Sequence, residues 1–448
     1  MDSLAFLCAR RLVSHRPAAR RALLALPAEL YPVLFRAAFL DGRTLALHDL
    51  VTSWPFPVLA FRHLLGSRNL EESPSKPCVQ AIISAVVAQL RRATEESWGG
   101  LSKSRCRLRL LDITGLQTDC PDCSPEGLSL WSGTVAVAKA CLALSDPCGP
   151  KRGSKCRKGP RGASPTAPQP FGVEIRTDLF VNSTSLGVLR RALRASSPLR
   201  LRCRDFHAEE LSAAAIGSLL EALEPAGVRR IDLRFNNLGL PGLCLVLPPL
   251  AGFPDLLSLR LPYSNVDTRR AADAGLRRLA ALLGKLQGLK ELSLGSSRLS
   301  GKLRQVLGDL QTPLESLELA YCSLLAGDLA FLRQSPHAAA LRRLDLSGHC
   351  FSAELLPALR GLLEEAAASL LHLDLIECRL SDSALALLLP TLGRCSRLRS
   401  LGLFGNPLSL AALRDLLRGT AALAELSLVI YPYPTDCFAG GLPAAPAA

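Results

Sequence analysis

From Val228 towards the C-terminus one spacing of aliphatic residues keeps returning, and it leaves the chain few folds to choose from. The first copy, Val228, Ile231, Leu233, Asn236 and Leu238, follows the L-x-x-L-x-L-x-x-N-x-L signature of a leucine-rich repeat, with Val and Ile substituted. Further starts fall at Leu256, Leu289, Leu314, Leu341, Leu370, Leu398 and Leu423, at intervals of 25 to 33 residues. The ninth position, which closes the turn after each strand, reads Asn236, Ser264, Ser297, Cys322, His349, Cys378 and Asn406, mostly good turn residues. Helical-period stretches such as Ala353 to Leu371 and Ser383 to Leu392 lie between the starts. Each repeat is therefore expected to be one strand and one helix. The fold class is α/β: a leucine-rich repeat solenoid with a curved parallel sheet inside and helices outside.

Composition supports this. Hydrophobic residues make up 48 % of the 448, yet aromatics are 5 % and Met occurs once, so the apolar mass is Leu, Ala and Val, as one repeated packing position demands. Upstream the repeat weakens without vanishing: Leu108, Leu111, Ile113 and Leu116 form one copy, Val173 to Val181 a strand, and Leu199, Leu201 and Cys203 another. The solenoid is thus expected to begin near residue 105. The organisation read from the chain is a helical segment over 1–66, a linker and helix over 67–104, degenerate repeats over 105–227, regular repeats over 228–438 and a flexible tail over 439–448. Residues 145–170 interrupt the degenerate repeats with Pro, Gly, Ser and basic residues in no period, the signature of a disordered insertion.

The formal charge of +14 is unevenly placed. Lys151, Arg152, Lys155, Arg157, Lys158 and Arg161 against Asp146 put +5 of it in that insertion. The excess is therefore weak support for nucleic-acid binding, and no nucleic-acid partner is expected. No run of 18 apolar residues is free of charge, so no membrane span is expected either. Fifteen cysteines, an odd number scattered along the chain without a secretory leader, point to reduced thiols in the cytoplasm or nucleus. The arginine-rich first 28 residues have the composition of a mitochondrial transit peptide, but the same residues read better as folded helix.

In that segment Ser3 is placed to cap a helix on which Leu4, Cys8 and Leu12 follow at i, i+4 steps along one face. Leu can fill an apolar pocket, and Cys is small enough to let two helices approach closely, as in a helix-in-groove contact. The order matches an elongin-binding box, Ser/Thr-Leu-x-x-x-Cys-x-x-x-aliphatic. Further on, Leu26, Pro27, Leu30 and Leu34 fit a cullin-2 box, with Pro27 in a first helical turn. Pro32 removes a bond to Ala28, so a kink or restart is expected there. The alternative role for these residues is an ordinary amphipathic cap on the end of the solenoid.

Strand alternation turns positions three, five, seven and eight of each repeat away from the core. Position five reads Asp232, Arg260, Ser293, Glu318, Asp345, Asp374 and Gly402, acidic for so basic a chain. With Arg234, Phe235, Tyr263, Tyr321, His372 and Phe404 beside it, this face carries the residue types of binding hot spots, and its acids favour a basic ligand. Arg234, Phe235, Arg260, Tyr263, Tyr321, Asp345, His372, Asp374 and Phe404 are the candidate target-binding residues. Cys120 and Cys123 form a C-x-x-C followed by Cys141, Cys148 and Cys156, but the spacing is irregular and no second C-x-x-C follows, so no metal or other cofactor is expected. Phosphate-loop, nucleophile-elbow, zincin and dinucleotide motifs are missing and His occurs seven times, so neither catalysis nor a small-molecule ligand is expected.

The segments LPAELYPVLFRAAF at 26–39, WPFP at 54–57, LRLLDITG at 108–115, VRRIDLRFNNLGL at 228–240 and LRSLGLFGNPLS at 398–409 resemble the PRAME family of leucine-rich repeat proteins. The resemblance implies a substrate receptor of a cullin-2 RING ubiquitin ligase. Leu4, Cys8 and Leu12 would meet elongin C of elongin B/C, Leu26, Pro27, Leu30 and Leu34 the cullin, and the repeats a protein target. A scaffold or inhibitor in cytoplasmic signalling, using the same repeats, is the second expectation. The basic insertion departs from the family core.

Overall fold

The computed structural model describes residues 3–66, 75–98, 107–116, 129–145, 172–268 and 273–437. The basic insertion, apart from Ser145, and the tail from residue 438 lie outside the described residues. The chain divides into two compact units, Met1–His207 with Ala222–Glu224, and Ala208–Glu221 with Pro225–Ala448.

The first unit opens with helices α1 (Leu4–Val13), α2 (Arg16–Ala22), α3 (Tyr31–Leu40) and α4 (Thr44–Thr52). Strand β1 (Val58–Ala60) follows, then α5 (Phe61–Leu65), α6 (Lys76–Trp98), β2 (Leu110–Asp112), α7 (Leu130–Ser145), β3 (Val173–Val181), α8 (Leu186–Arg194) and β4 (Leu199–Ala208). Strands β1, β2 and β3 pair in parallel with Leu59, Leu111 and Ile175 side by side and fully buried. The ladder therefore begins at β1, upstream of the start expected near residue 105 and inside the stretch read as helical. Val58–Ala60 is too short to carry the repeat signature and runs straight into α5, which is why its spacing was silent. Residues 54–57 prepare it: the Trp54 indole Nε1 donates to the Val58 carbonyl at 3.0 Å. Phe35 sits 5.7 Å from Trp54 and 5.5 Å from Phe61, both edge-on, so one aromatic cluster ties α3 to the start of the sheet.

The second unit holds β5 (Arg230–Asp232), β6 (Ser258–Arg260), β7 (Glu291–Ser293), β8 (Ser316–Glu318), β9 (Arg343–Asp345), β10 (His372–Asp374), β11 (Ser400–Gly402) and β12 (Leu428–Ile430), paired in parallel in chain order. Helices α9 (Ala213–Leu220), α10 (Gly239–Val246), α11 (Asp273–Leu283), α12 (Leu303–Leu307), α13 (Ala326–Gln334), α14 (Leu355–Ala366), α15 (Asp382–Leu392) and α16 (Leu410–Thr420) alternate with them. The fold is the leucine-rich repeat solenoid expected, a parallel sheet backed by helices. Ile231, Leu259, Leu292, Leu317, Leu344, Leu373 and Leu401 stand in register and form one continuous buried row.

Asparagine closes the turns as its donor and acceptor allow. Asn406 Nδ2 donates to the Leu375 and Leu403 carbonyls, while its Oδ1 accepts from the Cys378 and Leu380 amides. One correction falls at the last repeat. Leu428 pairs with Ser400, so the repeat starts at Leu426 and not at Leu423. Both leucines fit the aliphatic spacing, but only the later start lets the Ser427 and Leu428 amides reach the Arg399 carbonyl. No described helix is long and apolar enough to cross a membrane.

Candidate functional site

The first candidate surface is built on α1. Ser3 caps it as expected, its Oγ accepting from the Phe6 amide at 3.3 Å. Phe6, Ala9 and Val13, at i, i+3 and i+7, form the buried face, which packs on α3. Arg36 covers the Phe6 ring at 5.3 Å, and Arg10 pairs with Asp41 at 2.8 Å. The other face is open: Leu4 is 78 % exposed, Cys8 is exposed and Leu12 is half-buried. Next to it Arg16 pairs with Asp49 at 2.8 Å, holding α2 against α4, and that pairing raises the Arg16 guanidinium further above its ordinary value.

The second box is divided by its prolines. Pro27 caps a single 3-10 turn, Ala28–Leu30, and α3 restarts at Tyr31 with Pro32 in its first turn, where a missing N–H costs nothing. The Tyr31 hydroxyl donates to the Leu23 carbonyl at 3.0 Å and fixes the restart. Pro27 and Leu30 are exposed and Leu26 is half-buried, but Leu34 is only 4 % exposed and belongs to the core. Of the four residues matched to the cullin box, the restart thus turns Leu34 inward with Phe35 and Ala38. The sequence reading missed Leu24, which is 91 % exposed two residues before the box. Its place just after the arginine-rich α2 was the available signal.

The second candidate surface is the strand face of the second unit. Position eight takes a left-handed backbone in every regular repeat up to β11: Phe235, Tyr263, Ser296, Tyr321, Gly348, Glu377 and Gly405 all have positive φ. Each amide from Phe235 to Glu377 donates to a carbonyl of the next repeat, for example Tyr321 to Ser347 at 2.8 Å. Three of these sites carry aromatic rings where glycine would be unstrained. Phe235 and Tyr263 stack at 4.6 Å with 17° between their planes, and both are exposed. The Tyr321 hydroxyl donates to Glu377 at 2.6 Å, which pushes its phenol up to about 12. Phe404 is exposed on the trailing side of β11.

Charge on this face is paired over β5 to β8 and again beyond β10, where Arg399 meets Glu425 at 2.9 Å. Arg234 bonds Asp232, Arg260 meets Glu318 at 2.8 Å, and Glu315 is held by Lys290 at 2.7 Å and Arg342 at 3.4 Å. Arg260, Arg343 and His372 help line a shallow cavity of about 490 Å³ over the middle strands. Asp345 and Asp374 stand in register on β9 and β10 and have no ion pair among the described residues. Burial first, and then Asp345, push the Asp374 carboxyl above its usual range. His372 is lowered by burial and by the arginines at 343 and 399. Of the five cysteines weighed as zinc ligands, Cys141 alone is described; it is buried, and burial pushes its thiol up to about 12.

Two family models match the chain, the PRAME N-terminal domain over residues 3–95 and the PRAME C-terminal domain over residues 201–442. Leucine-rich repeat-containing protein 14 of Xenopus laevis is 52 % identical over 451 residues, covering 98 % of this chain and 89 % of the relative. The Homo sapiens protein of the same name is 46 % identical over 454 residues with the same coverage. Among solved structures, the leucine-rich repeat-containing protein LegL7 of Legionella pneumophila is 19 % identical with a TM-score of 0.39, covering 59 % of this chain and 85 % of that one.

Proposed function

The chain belongs to the PRAME family of leucine-rich repeat proteins, and on that premise we propose that it is the substrate-recognition subunit of a cullin-2 RING ubiquitin ligase. Elongin B/C takes the open face of α1, the cullin takes the exposed turn around Pro27 and Leu30, and a target protein takes the strand face of the second unit. The observation that carries this reading is the division of α1 into two faces. Phe6, Ala9 and Val13 are buried, while Leu4 and Cys8 are left in water on a helix already capped by Ser3. Exposed apolar groups at a fixed helical spacing, with their helix already secured from behind, suit insertion into an apolar groove.

The mechanism is proximity. Lysines of the target are held near a ligase-bound ubiquitin donor, so a bimolecular encounter becomes effectively unimolecular, and no group of this chain reacts. The cytoplasm, and with it the nucleus, is the compartment in which this work is placed.

The test is capture of full-length protein and of its Leu4→Ala, Cys8→Ala variant from cell lysate, probed for elongin C and cullin-2. Both substituted side chains point outward, so the variant should fold. Recovery by the parent with loss in the variant is expected. Absence from both samples would return α1 to a structural cap and favour the signalling-scaffold reading.

A further inference from the structure

Unpaired charge and a pinned aromatic ring meet at one place on the strand face. On strands β5 to β8 every acid at positions two, three and five has a basic partner within 4 Å: Asp232 with Arg234, Glu291 with Arg230, Glu315 with Lys290 and Arg342, and Glu318 with Arg260. On β9 and β10 the pattern stops. Asp345, Asp374 and, in the turn beyond, Glu377 have no ion pair among the described residues, in a chain carrying 53 Lys and Arg against 39 acids. Like charges side by side across a ladder oppose each other. Arg343 lies two residues before Asp345 and Arg379 two after Glu377; the field of Arg343 lowers Asp374 without forming a pair.

Tyr321 joins this group through Glu377 alone and is held in a fixed pose. Its hydroxyl is tied to Glu377, and its ring lies across Gly348 so closely that any Cβ there would overlap it. Its backbone is left-handed at φ +58°, a conformation a large side chain adopts only when its surroundings enforce it. Even so, the residue is 45 % exposed. At position five of the next repeat a glycine, Gly402, leaves Asp374 uncrowded; a Cβ there would stand 2.5 Å from the Asp374 Oδ1. Phe404, 42 % exposed, stands beyond it.

We propose that this part of the strand face, from Tyr321 across Asp345 and Asp374 to Phe404, is the seat for an arginine side chain presented by the target protein. The inference rests on the target-binding half of the functional reading and narrows it to a chemistry. Complementarity of charge selects a cation. A planar guanidinium selects itself over an ammonium, because it can stack on a fixed ring and fork onto a carboxylate at once. Nucleic acid is disfavoured, since its phosphates would be brought against three carboxylates that have no ion pair among the described residues. The ring is already ordered, so little side-chain freedom is lost when the arginine arrives.

The experiment is a selection of random dodecapeptides displayed on phage against the full-length protein. Fluorescence anisotropy of the labelled winners follows, with the parent and with an Asp345→Asn, Asp374→Asn variant. That double change is isosteric and removes a repulsion, so it should fold. Arginine is expected in the winners. Its replacement by Ala in the peptide, and the double variant in the protein, should each weaken binding about tenfold, the scale of one well-placed charge contact, with the loss shrinking as salt rises. A lysine peptide should bind between the two. Winners free of basic residues, or binding indifferent to the double variant, would overturn the proposal, and lysine equal to arginine would overturn the stacking on Tyr321. The Leu4→Ala, Cys8→Ala variant should bind these peptides like the parent. Failure to capture elongin C would therefore count against the adaptor reading alone.

Discussion

At the residue scale, the turn-closing ninth position sets much of the stability of the second unit. Asn406 satisfies two buried amides and two buried carbonyls at once, so Asn406→Ala strands several backbone groups and should cost about 3 kcal/mol in denaturant unfolding, at the upper end for a buried polar deletion. Ser297 occupies the same position with a fully buried Oγ that has no hydrogen-bond partner among the described residues. Ser297→Asn, reaching the carbonyls that Asn406 reaches in its own repeat, should stabilise by about 1 kcal/mol and raise the melting temperature. Position nine was legible as a turn from the sequence, because Asn, Ser and Cys share small size and a polar atom. The chemistry of each turn was not. Cys322 and Cys378 reach a carbonyl of the preceding repeat through sulfur, whereas His349 gives Nδ1 to the Leu346 carbonyl and leaves Nε2 without a partner among the described residues. Those differences depend on where the neighbouring strand lies, which the residue type alone does not encode.

At the scale of elements, strands with a full repeat signature could be read directly, and strands without one could not. β3 spans Val173–Val181 as expected, because alternation of apolar residues over nine positions identifies a strand without help from its neighbours. β1 has three residues and no alternation to detect, and it is held in place by Trp54 and by pairing with β2. The α2 to α3 connection shows the same limit. Two prolines five residues apart announced a break, but the side on which Leu34 would emerge depended on where the helix restarted. That restart supports a prediction separating core from surface within one motif. Leu34→Ala should cost about 2 to 5 kcal/mol by opening a cavity, read as a drop in thermal midpoint, while Leu30→Ala should change stability by no more than about 0.5 kcal/mol and leave the midpoint close to that of the parent. Equal effects would mean that both leucines share one environment, against the burial seen here.

For the whole molecule, the buried histidines of the second unit and Asp178 of the first should answer acid in opposite senses, with the raised carboxyl of Asp374 offsetting only part of the effect of the histidines. In the second unit burial lowers His337 and His349. His337 Nδ1 accepts the Leu314 amide at 3.1 Å, and the His349 Nδ1 contact to a carbonyl already places its proton there. A histidine held neutral in the fold but free to charge when unfolded takes up protons preferentially in the unfolded state. This unit should therefore lose stability as pH falls below about 6.5. In the first unit Asp178 lies nearly buried, accepting the Gly115 amide at 2.6 Å and facing Arg204 at 3.2 Å. Burial outweighs Arg204 and holds the carboxyl at about 6. Here the folded state is the better proton acceptor between about 4, the unfolded value, and 6, so this contribution weakens as pH rises through that window and returns on acidification. Hydrogen exchange, corrected for the intrinsic pH dependence of the amides, separates the two in one experiment. From pH 7 to pH 5 protection should fall across β8 to β10 and rise across β2 and β3, and Asp178→Asn should abolish the rise while leaving the fall. A common fall in both units would show that Arg204 outweighs burial at Asp178, and that its carboxylate is a stabilising partner of the sheet.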